Sequence, residues 1–213
     1  MIEYNIDGTI CKIDLFPDDK FNILSIPNIL KLSDIFEKVA FSNTKVVRIK
    51  GHGGSFAVGA DIKQMRGFSG FDAKKFSMLG NSLFTLMDSI PQIIIAEIDG
   101  FCMGGGVDFA ASCDFRFATK KSKFAHPGPK LGIITGFGGT QRLPRVMKYA
   151  YFQELFTFGE LVDANFMYQS NFVFELLENS DELQRYSDEF SSKIVNKDLS
   201  HLSNFKKLIN FSR

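Results

Sequence analysis

Tryptophan is absent from this 213-residue chain, cysteine is down to three residues, and the formal net charge is only +1. Each scarcity excludes something. Cys11, Cys102 and Cys113 are too scattered for a disulfide framework or a zinc site, so no metal is expected and a reducing compartment is. The near-zero charge gives no electrostatic reason to bind nucleic acid or an anionic membrane. No charged-then-apolar leader opens the sequence and no apolar run is long enough to span a bilayer, so the expected location is cytoplasmic. Repeats, low-complexity tracts and linkers are missing too. Phenylalanine stands in for tryptophan, with 24 copies, which bears on core filling more than on chemistry. Hydrophobic residues make up 45% and charged residues 23% of the chain, the balance of an ordinary globular protein with a sizeable core.

The periodicity predicts an α/β architecture. Residues 2–6 and 10–15 alternate like strands around an Asp7-Gly8 turn. Ile29, Leu32, Ile35, Phe36 and Val39 recur at helical spacing and predict a helix over 27–41. Val46–Lys50 predicts a short buried strand, and 71–90 a helix stopped by Pro91. Strands follow at Phe115–Ala118 and Phe172–Leu176, with a short segment at Lys123–His126. From Gln141 the pattern is helical, closing on segments around 180–196 and 198–210. Strands alternating with helices over the first two thirds imply parallel pairing. The expected division is a core over 1–145 carrying the site, then a helical region over 146–213.

The most informative stretch runs from Ile93 to Asp114. An apolar β-branched strand ends in an Asp99-Gly100 turn, three glycines follow, and Val107–Cys113 reads as a small-residue helix. Such a strand–glycine–helix junction aims unpaired N–H groups at one point and attracts negative charge. A phosphate loop would need Gly-Lys-Ser/Thr, and Val107-Asp108 follows instead. A dinucleotide fingerprint would need a third glycine where Phe109 stands. An oxyanion hole remains, with Asp108 on the first helical turn facing a bound carbonyl. The alternative is that the glycines only let the helix pack close to the sheet. A second loop of small residues, Gly51–Asp61, also leaves a strand. Its His-Gly-Gly is the oxyanion sequence of some esterases, but no Gly-x-Ser-x-Gly elbow exists here.

Phe56-Ala-Val-Gly-Ala-Asp-Ile62, Ile98-Asp-Gly-Phe-Cys-Met-Gly-Gly-Gly106, Cys113-Asp114 and Gly138-Gly-Thr-Gln-Arg-Leu-Pro-Arg145, in that order, resemble the crotonase (enoyl-CoA hydratase/isomerase) superfamily. The resemblance implies a crotonase-like spiral of ββα units with a helical C-terminal region, assembled as trimers or pairs of trimers. It implies a coenzyme A or acyl-carrier-protein thioester as partner and no cofactor beyond that carrier. The thioester carbonyl would be held by the N–H groups of Ala60 and Gly105. Asn22, Ala60, Asp61, Ile62 and Lys63 are the positions it assigns to the coenzyme A moiety. Asp61 also reads as the cap of the next helix, and Lys63 and Arg66 either approach the coenzyme A phosphates from that helix or are solvated charges. Proton abstraction, water addition or decarboxylation next to a thioester all pass through an enolate, which two fixed donors stabilise more than the neutral carbonyl.

Two positions depart from the family. The resemblance implies a glutamate after the glycine triplet and another in a Gln-Pro-Glu loop. Here the first is Asp108, shorter by about 1.5 Å, and the second is Gly128. If 126–128 is extended, His126 points to the same side as Gly128 and can act as acid or base. The alternative is a histidine hydrogen-bonded for structure. The chain also loses detailed similarity past Gly159, which leaves a more open pocket, a bulkier acyl group or closure by a partner as expectations. Hydration/dehydration or double-bond isomerisation of an enoyl thioester, with Asp108 as acid/base, is the leading expectation. Decarboxylation of a malonyl-type thioester and a non-catalytic thioester-binding subunit are the alternatives.

Overall fold

The chain opens on an antiparallel hairpin, β1 (Ile2–Asp7) and β2 (Ile10–Leu15), turning at Gly8 as its Asp-Gly pair predicts. A computed structural model describes residues 1–211, with side chains to Ile209. Helix α1 (Ile26–Ala40) follows because Ser25 accepts from the Asn28 N–H, Pro27 presets the first turn, and Ile29, Leu32, Ile35, Phe36 and Val39 form one buried stripe.

Three ββα turns then succeed one another. The first holds β3 (Val46–Gly51), β4 (Ser55–Ala57), the short α2 (Ile62–Met65) and the long α3 (Gly70–Ser89), the last opened by a Ser69/Asp72 capping box. The second holds β5 (Ile93–Ile98), β6 (Phe101–Met103) and α4 (Gly105–Ala111). The third holds β7 (Phe115–Thr119), β8 (Lys123–Ala125), α5 (Gly128–Leu131), α6 (Gly139–Val146) and α7 (Tyr149–Phe158). Then come β9 (Val162–Asp163), α8 (Ala164–Gln169), β10 (Glu175–Leu177), α9 (Ser180–Val195) and α10 (Leu199–Phe211).

Each turn contributes one strand to each of two sheets. The first sheet runs β1-β2-β3-β5-β7-β10 and the second β4-β6-β8-β9. Apart from the opening hairpin and the β8/β9 pair, every pairing is parallel. This is the ββα spiral that the resemblance implied.

The sequence pattern misses β4 and β6, which are three residues long and flanked by turns, too short for a period to register. The expected strand at 172–176 is displaced. Phe172 and Val173 are fully buried but irregular, with the Val173 N–H bonded to the Met167 carbonyl, and β10 begins only at Glu175. An apolar run there marks burial, not extension.

Phenylalanine fills the core as a row of rings, stacked at one end and edge-on or tilted at the other. Phe56, Phe109, Phe84, Phe137 and Phe76 follow one another at ring-centroid spacings of 5.6, 5.7, 5.8 and 5.1 Å. Phe137, the fourth ring, packs against Gly105 at the N-terminus of α4. Glu97, unexplained by the sequence pattern, is buried on β5 with Arg48 of β3, whose guanidinium also reaches Asp188 on α9. Burial pushes the Glu97 carboxyl up against the pull of Arg48. The network fastens α9 to the sheet.

Candidate active site

Two loops, one after β4 and one after β6, meet above the phenylalanine row. Asn22, 5% exposed, holds the first: its side-chain amide donates to the His52 and Ser55 carbonyls at 3.0 and 2.7 Å, and its backbone carbonyl accepts the Val58 N–H at 2.9 Å. The Leu24 N–H bonds to the Gly59 carbonyl at 2.8 Å. Gly59 has φ +86°, and a Cβ there would lie 2.8 Å from the Gly105 nitrogen. That missing side chain lets the two loops touch.

The three glycines of the second loop divide the work. Gly104 makes the turn, with φ +52° and its N–H tied to the Ala125 carbonyl. Gly106 packs α4 onto β4, since a Cβ would come 2.0 Å from the Ala57 carbonyl oxygen. Gly105, between them, opens the helix and keeps an uncommitted N–H. The close-packing reading of the triplet therefore holds for Gly106, while Gly105 leaves an N–H open at the start of the helix.

Ala60 and Gly105 line a single cavity of about 260 Å³. Among the described residues neither N–H has a hydrogen-bond partner. The walls are largely apolar, with Ile62, Met65, Phe76, Leu131, Ile133 and Ile134 among them. His126 is the only titratable side chain lining the cavity among the described residues.

Asp108 occupies the first turn of α4 as the sequence suggests, but it does not face the cavity. It is 0% exposed. Its carboxylate accepts a hydrogen bond from the Thr135 hydroxyl and lies 3.2 Å from His126 Nε2. Gly139, at the start of α6, admits it: a Cβ there would stand 2.0 Å from Asp108 Oδ1. The one-methylene-shorter acid stops behind the imidazole.

His126 reaches the cavity by another route than strand alternation. The segment 126–128 is not extended: Pro127 has ψ +8° and Gly128 opens α5. A Cβ at Gly128 would meet the Ile133 carbonyl oxygen at 2.5 Å, so backbone fills much of the space the sequence left for an imidazole. His126 instead stacks on Phe156, ring centroids 4.1 Å apart, with Nδ1 towards Gly128.

Thr135 has no signal in the local sequence, because its link to Asp108 crosses 27 residues. Its loop is pinned from α3, where Ser77 and Asn81 donate to the Gly136 carbonyl at 2.5 and 2.6 Å. Arg142 of α6 donates to Asp88 at 3.2 Å and to the Phe137 carbonyl, a structural role.

Of the positions assigned to coenzyme A, Ala60 and Ile62 line the cavity. Asn22 braces the loop, and Asp61 caps α2 by accepting the Lys63 and Gln64 N–H groups. Lys63 is exposed on α2. His52 bonds Asp14 and stacks on Phe16, away from the cavity. Burial pushes all three thiols up, Cys11 to about 11, which leaves no thiolate nucleophile near neutrality. Among the described residues no group of three or more His, Cys, Asp or Glu side chains comes together to hold a metal ion, and no helix is long and apolar enough to cross a membrane.

The chain is thus an α/β protein, a ββα spiral with two open backbone amides beside an apolar cavity. The comparisons supply the family. Residues 5–212 match the model of the family described as Enoyl-CoA hydratase/isomerase, and the chain belongs to that family. It is 36% identical over 141 residues to the short-chain-enoyl-CoA hydratase of Clostridium acetobutylicum, covering 66% of this chain and 54% of that one. It is 35% identical over 143 residues to the crotonyl-CoA hydratase of Syntrophomonas wolfei, covering 67% and 55% respectively. The matched region thus spans about half the length of these relatives. Among solved structures, the enoyl-CoA hydratase from Bacillus anthracis superposes with a TM-score of 0.92 at 27% identity, over 98% of this chain and 82% of that one.

Proposed function

We propose that this protein binds an acyl thioester, of coenzyme A or an acyl carrier protein, and stabilises the enolate formed at its carbonyl. Hydration/dehydration or double-bond isomerisation of an enoyl group is the reaction class. The observation carrying this reading is the pair of open N–H groups, Ala60 and Gly105, beside one apolar cavity. A carbonyl oxygen seated between them gains charge as the α-carbon loses a proton or the β-carbon gains water. Fixed dipoles aimed at that oxygen lower the barrier without reorganising. The apolar walls suit an aliphatic acyl chain and raise the value of each donor by excluding water. The similar hydratases of C. acetobutylicum and S. wolfei support the enoyl-CoA choice.

One observation favours a binding-only role: no carboxylate lines the cavity among the described residues. Purified protein is offered enoyl-CoA, β,γ-enoyl-CoA and malonyl-type thioesters, with turnover followed by mass spectrometry and binding by calorimetry. Enoyl turnover supports the enzymatic reading. Binding without turnover supports the binding-only role, and absence of both overturns the thioester site. The proposed setting is the cytoplasm and the proposed assembly a trimer or pair of trimers, read by sedimentation.

A further inference from the structure

Resting on that thioester reading, we propose that proton transfer in this site is carried by an Asp108–His126 dyad. His126 is the acid/base at the cavity, and Asp108 is the positioning residue behind it. Three observations carry the assignment. First, His126 is the only titratable side chain lining the cavity among the described residues, so a side-chain proton carrier has one place to be. Second, Asp108 sits 3.2 Å from Nε2, is 0% exposed, and has its other oxygen bonded to Thr135. Its remaining partner is the imidazole. A carboxylate facing Nε2 holds the proton on that nitrogen and leaves the Nδ1 lone pair free as base. Third, Phe156 stacks on the ring and fixes its plane.

The step balances within the site. The Nδ1 lone pair takes a proton from the carbon next to the thioester carbonyl. The C–H electron pair moves onto the carbonyl oxygen between the Ala60 and Gly105 amides, and the resulting imidazolium is steadied by Asp108. Returning the proton to the α- or γ-carbon restores neutral imidazole and the carbonyl. One base serves both directions, so carbon–proton exchange and double-bond migration need no second carboxylate.

The test is deuterium incorporation at carbon from D2O, using a chain-length series of β,γ-enoyl-CoA thioesters with mass-spectrometric readout. Wild type exchanges. His126→Ala and His126→Gln lose about 10²–10⁴ in exchange rate, although Gln can still donate to Asp108. Added imidazole restores exchange to His126→Ala, which has room for it, and not to His126→Gln. Asp108→Asn loses at least about tenfold in kcat with KM held, the mark of an orienting partner. His126→Gln stands in if His126→Ala does not fold. Exchange at the wild-type rate in either His126 variant overturns the dyad and leaves the thioester site standing. So does failure of imidazole to rescue a folded His126→Ala. Wild-type binding without exchange overturns the dyad alone, whereas neither binding nor exchange overturns both.

Discussion

Replacing Gly105 by alanine tests the backbone donor without touching any polar side chain. The added Cβ would lie 2.9 Å from Phe137 Cδ2 and 3.4 Å from the Gly59 Cα. The ring has little freedom to retreat. Phe137 is 3% exposed, and its far edge already occupies the space of Gly80, where a Cβ would come within 2.4 Å. The strain therefore falls on the α4 N-terminus and the Gly59 loop, which hold the two amides. A displacement of about 1 Å in such a site costs roughly a hundredfold, and full loss of one donor costs about 2.7–4 kcal/mol, or 10²–10³ in kcat. The overpacking itself should lower stability by about 1–3 kcal/mol. The assay is kcat and KM on the best-turned-over enoyl thioester, beside thermal unfolding. Gly70→Ala is the control, since a Cβ there meets nothing within 4 Å. On the proposed thioester reading the expected result is a fall in kcat with KM little changed, because a donor to the enolate oxygen acts in the transition state. A folded Gly105→Ala protein with wild-type kcat/KM would refute the role of this amide.

Other outcomes follow from the charges. Arg48→Ala strands Glu97 in the interior, where both side chains are 3% exposed, and should cost about 3–5 kcal/mol in urea denaturation. The double change Arg48→Met/Glu97→Leu should recover most of that loss; if it is as unstable as the single variant, the pair itself is holding α9. Burial works to raise the Asp99 carboxyl, but hydrogen bonds from Ser180 and Thr119 and the nearby Lys121 outweigh it and hold it below the ordinary range. Its stabilising effect is therefore complete above the unfolded value near ~3.9 and is lost as pH falls through the folded value. Asp99→Asn should be less stable than wild type at neutral pH, with the gap closing in acid. A gap that is constant with pH would mean the shift contributes nothing.

The sequence by itself determined the longer regular elements and the two glycine loops, but not the three-residue strands β4 and β6 or the start of β10. The legible signals are local: the apolar stripe of α1, the Asp-Gly turns, and a β-branched run ending in three glycines. It also carried the family, because four short motifs in order are visible without coordinates. Tertiary structure decided which group meets the cavity. The link from Asp108 to Thr135 crosses 27 residues, and the row of five phenylalanine rings whose Phe137 backs Gly105 is drawn from β4, α3, α4 and the loop before α6. No periodicity encodes contacts of that kind. Asp108 and His126 were both legible as chemical residue types, yet their order, imidazole in front and carboxylate behind, follows from how close α6 comes at Gly139 and how Pro127 bends the chain before α5. Side-chain reach is fixed by the backbone around it, and that backbone is set only once the spiral has closed.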